Sequence, residues 1–206
     1  MSDYEPLLDK AYDRKTKDEV VDLYSEWAET YDDELESNSY VAPERGAAVF
    51  AEHVTDRKAR IIDIGCGTGL VGRILAAGGF SGIDGLDISV EMLSQAQRKG
   101  GYNKLFEADL TGAIDVADAT YDAAISVGTF THNHVGPSGL DEVLRIVKPG
   151  GIASVTVNGD AYIADGYRAK FETLAADGVC TIVEQRDEEY IIARGIRSLI
   201  VVLKKK

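Results

Sequence analysis

Scarcity narrows this 206-residue chain before any motif does. Two cysteines, Cys66 and Cys180, are too few for a disulfide framework or a cysteine metal cluster, and both read as small buried fillers. No apolar run approaches the ~18 to 20 residues that would span a bilayer. The start, Met1-Ser2-Asp3-Tyr4-Glu5-Pro6, lacks the basic residues and apolar core of a secretory signal. A cytoplasmic protein with no membrane partner is therefore the expectation. Basic residues are scarce too: 22 Lys and Arg stand against 35 Asp and Glu, a formal net charge of −13. Such a surface repels phosphodiester backbones, so nucleic acid is not an expected partner. The closing Lys204-Lys205-Lys206 is too short to change that and reads as a solvated tail. Only four prolines occur, with no proline-rich linker, internal repeat or low-complexity tract.

What remains is an ordinary globular balance, 45% hydrophobic and 28% charged, at a length suited to one α/β domain. The first 15 residues are charged and weakly patterned, so they are expected to be mobile. Thr16-Lys17-Asp18-Glu19 has capping-box spacing and opens a predicted helix. Val20, Tyr24, Trp27 and Tyr31 then fall on one face of it. A second helix is predicted from about Pro43 to His53.

After Arg60 the texture alternates. Strands are predicted at 60–64, 82–86, 103–106, 121–127 and 151–157, with helices at 69–77, 89–99, 137–147 and 160–176 between them. That alternation implies a doubly wound, Rossmann-like α/β sheet, mostly parallel. The tail differs: a strand within 179–192 and another over 198–203 have no helix between them, so they predict an antiparallel C-terminal hairpin. Residues 1–55 are read as an N-terminal helical lid of the same domain, and 56–206 as its core. Lys148-Pro149-Gly150-Gly151 suits a type II turn leading into a strand.

The densest signal is Ile61-Ile62-Asp63-Ile64-Gly65-Cys66-Gly67-Thr68-Gly69, an apolar strand running into glycines and then a helix. Glycines permit a tight turn and let a ligand press on bare backbone. The spacing alone is ambiguous, because Gly67 to Gly72 also satisfies the dinucleotide pattern G-x-G-x-x-G. Asp63, placed directly before the glycines, favours a cationic ligand over a pyrophosphate. S-adenosylmethionine carries a sulfonium and an ammonium and no phosphate. Asp87 follows Gly69 at about the 20-residue spacing of a ribose-binding acid. Asp109 ends the third strand, where it can accept from an adenine amine while Leu110 covers the ring. Ser89 reads as an N-cap.

These residues resemble a family. Asp63 to Gly69, Asp87, Ala108-Asp109 and Lys148 to Gly151 are similar to successive motifs of class I methyltransferases. Leu23-Tyr24-Ser25-Glu26-Trp27-Ala28-Glu29-Thr30-Tyr31-Asp32 resembles the entry segment of ubiquinone-type C-methyltransferases. With Ser126-Val127-Gly128-Thr129-Phe130-Thr131-His132, it is most similar to the Williams–Beuren-region methyltransferase group. The resemblance covers roughly 20–203 and implies S-adenosyl-L-methionine as cofactor. It implies that Gly65 and Gly67 hold the methionine end and Asp87 the ribose. Ile88 and Leu110 would flank adenine, Asp109 would bond its amine, and Gly128 would lie near the sulfonium. Tyr31, with Tyr40, would close over the cofactor.

His132-Asn133-His134 follows the fourth strand, on the loop where this fold receives its acceptor. His132 and His134 are the candidates for binding a small-molecule acceptor or removing its proton; plain loop residues are the competing reading. No metal is expected, since the third histidine, His53, belongs to a distant helix. A nicotinamide oxidoreductase and a non-catalytic S-adenosylmethionine-binding module stay open as alternatives. An amino-methylating DNA enzyme would show an Asp/Asn-Pro-Pro-aromatic motif where this chain has Ser126 to Phe130.

Overall fold

The computed structural model describes residues 7, 17–131 and 134–206. From residue 17 onward the described residues begin with helices α1 (Lys17–Trp27), α2 (Tyr31–Ser37) and α3 (Ala42–His53). The alternating region follows as β1 (Arg60–Ile64), α4 (Leu70–Ala77), β2 (Gly82–Asp87), α5 (Val90–Lys99) and β3 (Lys104–Glu107). It continues through β4 (Tyr121–Phe130), α6 (Gly139–Ile146), β5 (Val147–Asn158), α7 (Gly159–Ala164) and α8 (Tyr167–Ala176). The chain ends in β6 (Cys180–Ile191) and β7 (Ile196–Lys205).

All seven strands form one sheet in the order β3-β2-β1-β4-β5-β7-β6. The first five pair in parallel, and β7 pairs antiparallel with both β5 and β6. The predicted doubly wound sheet with a terminal hairpin is therefore present. Alternating side chains on each strand divide the core in two. Ile62, Ile64 and Ala124 pack on the face covered by α6 and α8. Ile61, Ile83, Ile125 and Val127 pack on the other, under α3 and α4. Chain order reverses between β1 and β4, which opens a crevice at their carboxyl ends.

Three local expectations need correction. Tyr31 does not continue the first helix; it begins α2, after a turn at residues 28–30. Its ring still joins the aromatic face, with centroids 4.6 Å from Trp27 and 6.1 Å from Tyr24. The helix over 160–176 is two helices, broken where Gly166 takes φ +83°. The Lys148 to Gly151 turn, with Gly150 at φ +82°, lies inside β5 as a bulge: Tyr121 pairs with Val147, but Ala123 with Ile152. The capping residue Thr16 lies outside the described residues. No described helix is long and apolar enough to cross a membrane.

Candidate active site

The carboxyl ends of β1, β2 and β4 surround a cavity of about 310 Å³. The glycine loop forms one wall. Gly65 and Gly67 take φ +68° and +52°, the left-handed region that side chains avoid. A Cβ on Gly65 would stand 2.1 Å from Thr129 Oγ1, so no larger residue fits between β1 and β4. A Cβ on Gly67 would meet nothing within 4 Å, because it would enter open space beside the cavity.

Asp87 ties the next turn to this loop. Its Oδ2 accepts the Gly67 N–H at 2.8 Å and its Oδ1 the Ser89 N–H at 3.0 Å. Ser89 caps α5 as expected, accepting the Met92 N–H at 3.2 Å. Burial raises the Asp87 carboxyl above its ordinary range, while these backbone donors hold it down. A carboxylate has about four lone-pair positions, so Asp87 keeps acceptor capacity beyond these backbone bonds. Past β3, Asp109 Oδ1 accepts both the Thr111 N–H at 2.8 Å and the Thr111 hydroxyl at 2.6 Å. Ile88, Asp109 and Leu110 all line the cavity. Gly128, at φ +85°, lines it from within a register shift of β4.

Asp63 is placed differently from the expectation. It is 1% exposed and is not among the lining residues, so it does not face a ligand directly. Tyr102 donates to its Oδ2 at 2.6 Å, and its Oδ1 is buried without a hydrogen-bond partner. Burial pushes the Asp63 carboxyl up to about 7, against the Tyr102 hydrogen bond and with a smaller push from Asp87. Tyr102 carries no motif and was not read from sequence. Its hydroxyl also accepts the Gly72 N–H at 3.1 Å, and a Cβ on Gly72 would fall 2.1 Å from the ring. A Cβ on Gly85 would fall 2.9 Å from the same ring. The third glycine of the dinucleotide-like pattern is thus accounted for by the seat of Tyr102. The only hint in the sequence is that Gly72 and Gly85 both lack side chains on elements that face one another.

Helices α1 and α2 border the cavity. Tyr24 and Tyr31 line it. Asp32, unassigned from sequence, accepts from the Thr68 hydroxyl at 2.6 Å and pairs with Lys99. This clasps α2 to the glycine loop and to α5. Backbone bonds from Val41 N–H to Tyr190 O (3.0 Å) and Ile192 N–H to Ser39 O (3.1 Å) join the same segment to β6. A second, smaller cavity of about 30 Å³ lies there; it shares Tyr24, Tyr31, Gly128 and His134 with the first and adds Tyr40 and Tyr190. His134 bonds the Tyr24 hydroxyl through Nε2 at 3.0 Å, with ring centroids 5.6 Å apart. His132 and Asn133 lie outside the described residues. His53 sits elsewhere, 2.6 Å from Glu184. No group of three or more potential ligands that could hold a metal occurs among the described residues.

Residues 61–151 match the methyltransferase domain family. The human methyltransferase-like protein 27 is 34% identical over 137 residues, covering 65% of this chain and 56% of that one. The malonyl-[acyl-carrier protein] O-methyltransferase of Enterobacter lignolyticus (strain SCF1) is 30% identical over 109 residues, covering 53% and 43%. The fold superposes on an S-adenosylmethionine-dependent methyltransferase from Mesorhizobium loti with a TM-score of 0.60, at 18% identity, covering 77% of this chain and 96% of that one. Residues 61–151 thus form a methyltransferase domain, on the fold that the S-adenosylmethionine-dependent enzyme shares. The matched region spans about half the length of the two relatives named.

The methyltransferase cofactor fits this cavity on the residues present. Gly67 leaves open the space that a Cβ would take. Two carboxylates, Asp87 and Asp109, and no Lys or Arg line the wall among the described residues, the polarity a sulfonium and an ammonium require. Ile88, Leu110 and Met92 supply apolar surface for a base.

Proposed function

We propose that this methyltransferase acts on a small-molecule acceptor, by in-line transfer, with the reacting atom admitted beside Gly128. The observation that carries this reading is the shared lining. The larger cavity has the glycine loop and both acids, and the smaller one meets it at Tyr31, Gly128 and His134. In this reading Gly65 and Gly67 hold the methionine end, Asp87 takes the ribose hydroxyls, and Asp109, Ile88 and Leu110 hold adenine. Asp63 acts from beneath, by seating Tyr102 under the loop. When bound, the cofactor supplies an electrophilic methyl group on a sulfonium, whose leaving thioether needs no acid. The protein's task is then mainly to hold the acceptor in line and exclude water, a gain on the order of 10⁵ M or more in effective molarity.

His134 is the described residue that can take a proton from the acceptor, with Tyr24 orienting its ring; His132 is the second candidate on that loop. The lid comprises α1 and α2. Although α3 also lies within residues 1–55, Val49 and Phe50 are at most 1% exposed and build it into the core. Opening the lid fully would expose Leu23, Trp27 and Leu35, at about 1.5–3 kcal/mol for each side chain. That cost favours the closed state and restricts motion to partial opening.

Incubation of the protein with methyl-labelled cofactor and a pool of small metabolites tests this directly. Label should appear in a small molecule along with S-adenosylhomocysteine. Label only in protein or nucleic acid, or binding with no turnover on any pool, would refute it.

A further inference from the structure

The small cavity is unusually aromatic. Four tyrosines line it, Tyr24, Tyr31, Tyr40 and Tyr190, together with Trp27 and His134. The hydroxyls of Tyr40 and Tyr190 converge on Gly128: a Cβ there would lie 3.0 Å and 3.1 Å from them. Their rings meet edge to face with centroids 5.1 Å apart, and Tyr24 stacks on Trp27 at 5.8 Å. Burial raises the Tyr31 and Tyr40 phenols well above their ordinary value, so both keep their protons at neutral pH. They bring neutral phenols to the lining.

Among the described residues, the only Asp, Glu, Lys or Arg side chains that line the two cavities are acidic, Asp87 and Asp109. Trp27 donates its indole N–H to the Glu34 carboxylate at 3.1 Å, which puts a negative group one ring behind the wall. Asp87 and Asp109 line the adjoining cavity, and the whole chain carries −13. A carboxylate or phosphate at the reacting end of an acceptor would meet no Lys or Arg among the described lining residues. An ammonium would meet several aromatic rings, whose π systems can attract it, and a field that draws cations in.

We propose that the reacting group of the acceptor is an amine, admitted as its ammonium into the chamber between Tyr24, Trp27, Tyr40 and Tyr190 and methylated on nitrogen beside Gly128. The inference rests on the methyltransferase reading above. The ammonium first gives a proton to His134 or to solvent. The nitrogen lone pair then forms the new N–C bond as the S–C bond breaks, and that bond's electron pair stays on sulfur. A chamber of about 30 Å³ admits the amine head and leaves the rest of the molecule outside.

Trp27 is the one tryptophan in the chain and lines the chamber, so its fluorescence reports on what enters. The protein is first titrated with S-adenosylhomocysteine by calorimetry. With that ligand saturating, three probes of similar size and different charge are compared through Trp27 emission: tetramethylammonium, neopentyl alcohol and pivalate. Tetramethylammonium should bind roughly tenfold more tightly than neopentyl alcohol, with pivalate weakest. Tyr190→Phe should keep that order and Tyr190→Leu should erase most of it. Methyl label in turnover products should sit on nitrogen and resist mild alkali. Binding of pivalate or neopentyl alcohol as tight as tetramethylammonium, or no response to tetramethylammonium, would overturn the proposal. Release of the label as methanol by alkali, the mark of a carboxyl ester, would do so too. Failure of S-adenosylhomocysteine to bind would instead count against the cofactor reading on which it rests.

Discussion

Asp87 Oδ2 accepts the backbone N–H of Gly67 at 2.8 Å, so the acid expected to hold the ribose also braces the glycine loop. Replacement by Ala therefore has two consequences. Ribose hydroxyls lose their acceptor in a desolvated pocket, at roughly 1–3 kcal/mol, or about tenfold to a hundredfold in affinity. The N–H groups of Gly67 and Ser89 lose theirs as well, so the unliganded protein should melt earlier. Calorimetry with S-adenosylhomocysteine and a thermal melt of Asp87→Ala measure the two separately. Unchanged affinity would remove Asp87 from the cofactor site.

The glycines separate in the same way. Gly67→Ala puts a methyl group into open space at φ +52°, at a backbone cost of about 1–2 kcal/mol. Its main effect should be lost cofactor affinity. Gly72→Ala drives a methyl group to 2.1 Å from the Tyr102 ring, so it should lower stability first. Pairing it with Tyr102→Ala should recover part of that loss. A Gly72→Ala protein of normal stability with lost cofactor affinity would revive a ligand role for that glycine.

Asp63 sets a pH dependence whose sign follows from its burial. Its carboxyl titrates at about 7 when folded, against about 4 in an unfolded chain. Between those values the folded state holds the extra proton, so this group's contribution to stability is full below about pH 4 and is lost as pH rises through about 7. Asp63→Asn stays neutral throughout. Its melting temperature relative to wild type should rise from pH 5 to pH 8 and level off above that. A difference that stays constant with pH would show that Asp63 is ionised in the folded protein.

The clasp at Asp32 predicts how the lid responds to ligand. Cleavage within residues 1–40 by a nonspecific protease should slow when S-adenosylhomocysteine is added, because closure adds contacts that only the liganded state makes. Asp32→Ala removes the acceptor for Thr68 and the partner of Lys99, so it should speed cleavage and weaken the protection. Equal cleavage with and without ligand in the wild-type protein would dispose of the lid.

Much of this was legible in sequence because strand ends, glycines and acids coincide at one edge of the sheet. The strands at 60–64 and 82–86 and the terminal hairpin follow from apolar runs whose bounds are set by glycine or charge. The loop, Asp87, Ile88, Asp109, Leu110, Gly128, Tyr31 and His134 all reach the cavity. What escaped was long-range. Tyr102 finds Asp63 only once β3 lies beside β2, and Asp32 finds Thr68 only once α2 has docked. Asp63 reads as a ligand residue because its place before the glycines is visible, while the side chain's burial on the strand's other face is not. Gly166 is a weak helix breaker by itself, so the division between α7 and α8 left no clear mark.

The most direct test of the central claim compares two ligands on one protein. Titrating the chain with S-adenosylhomocysteine and, separately, with NADH by calorimetry asks which nucleoside ligand the cavity takes. The account predicts saturable one-to-one binding of S-adenosylhomocysteine that Gly67→Ala weakens, and no heat from NADH. Saturable NADH binding with none by S-adenosylhomocysteine would contradict it.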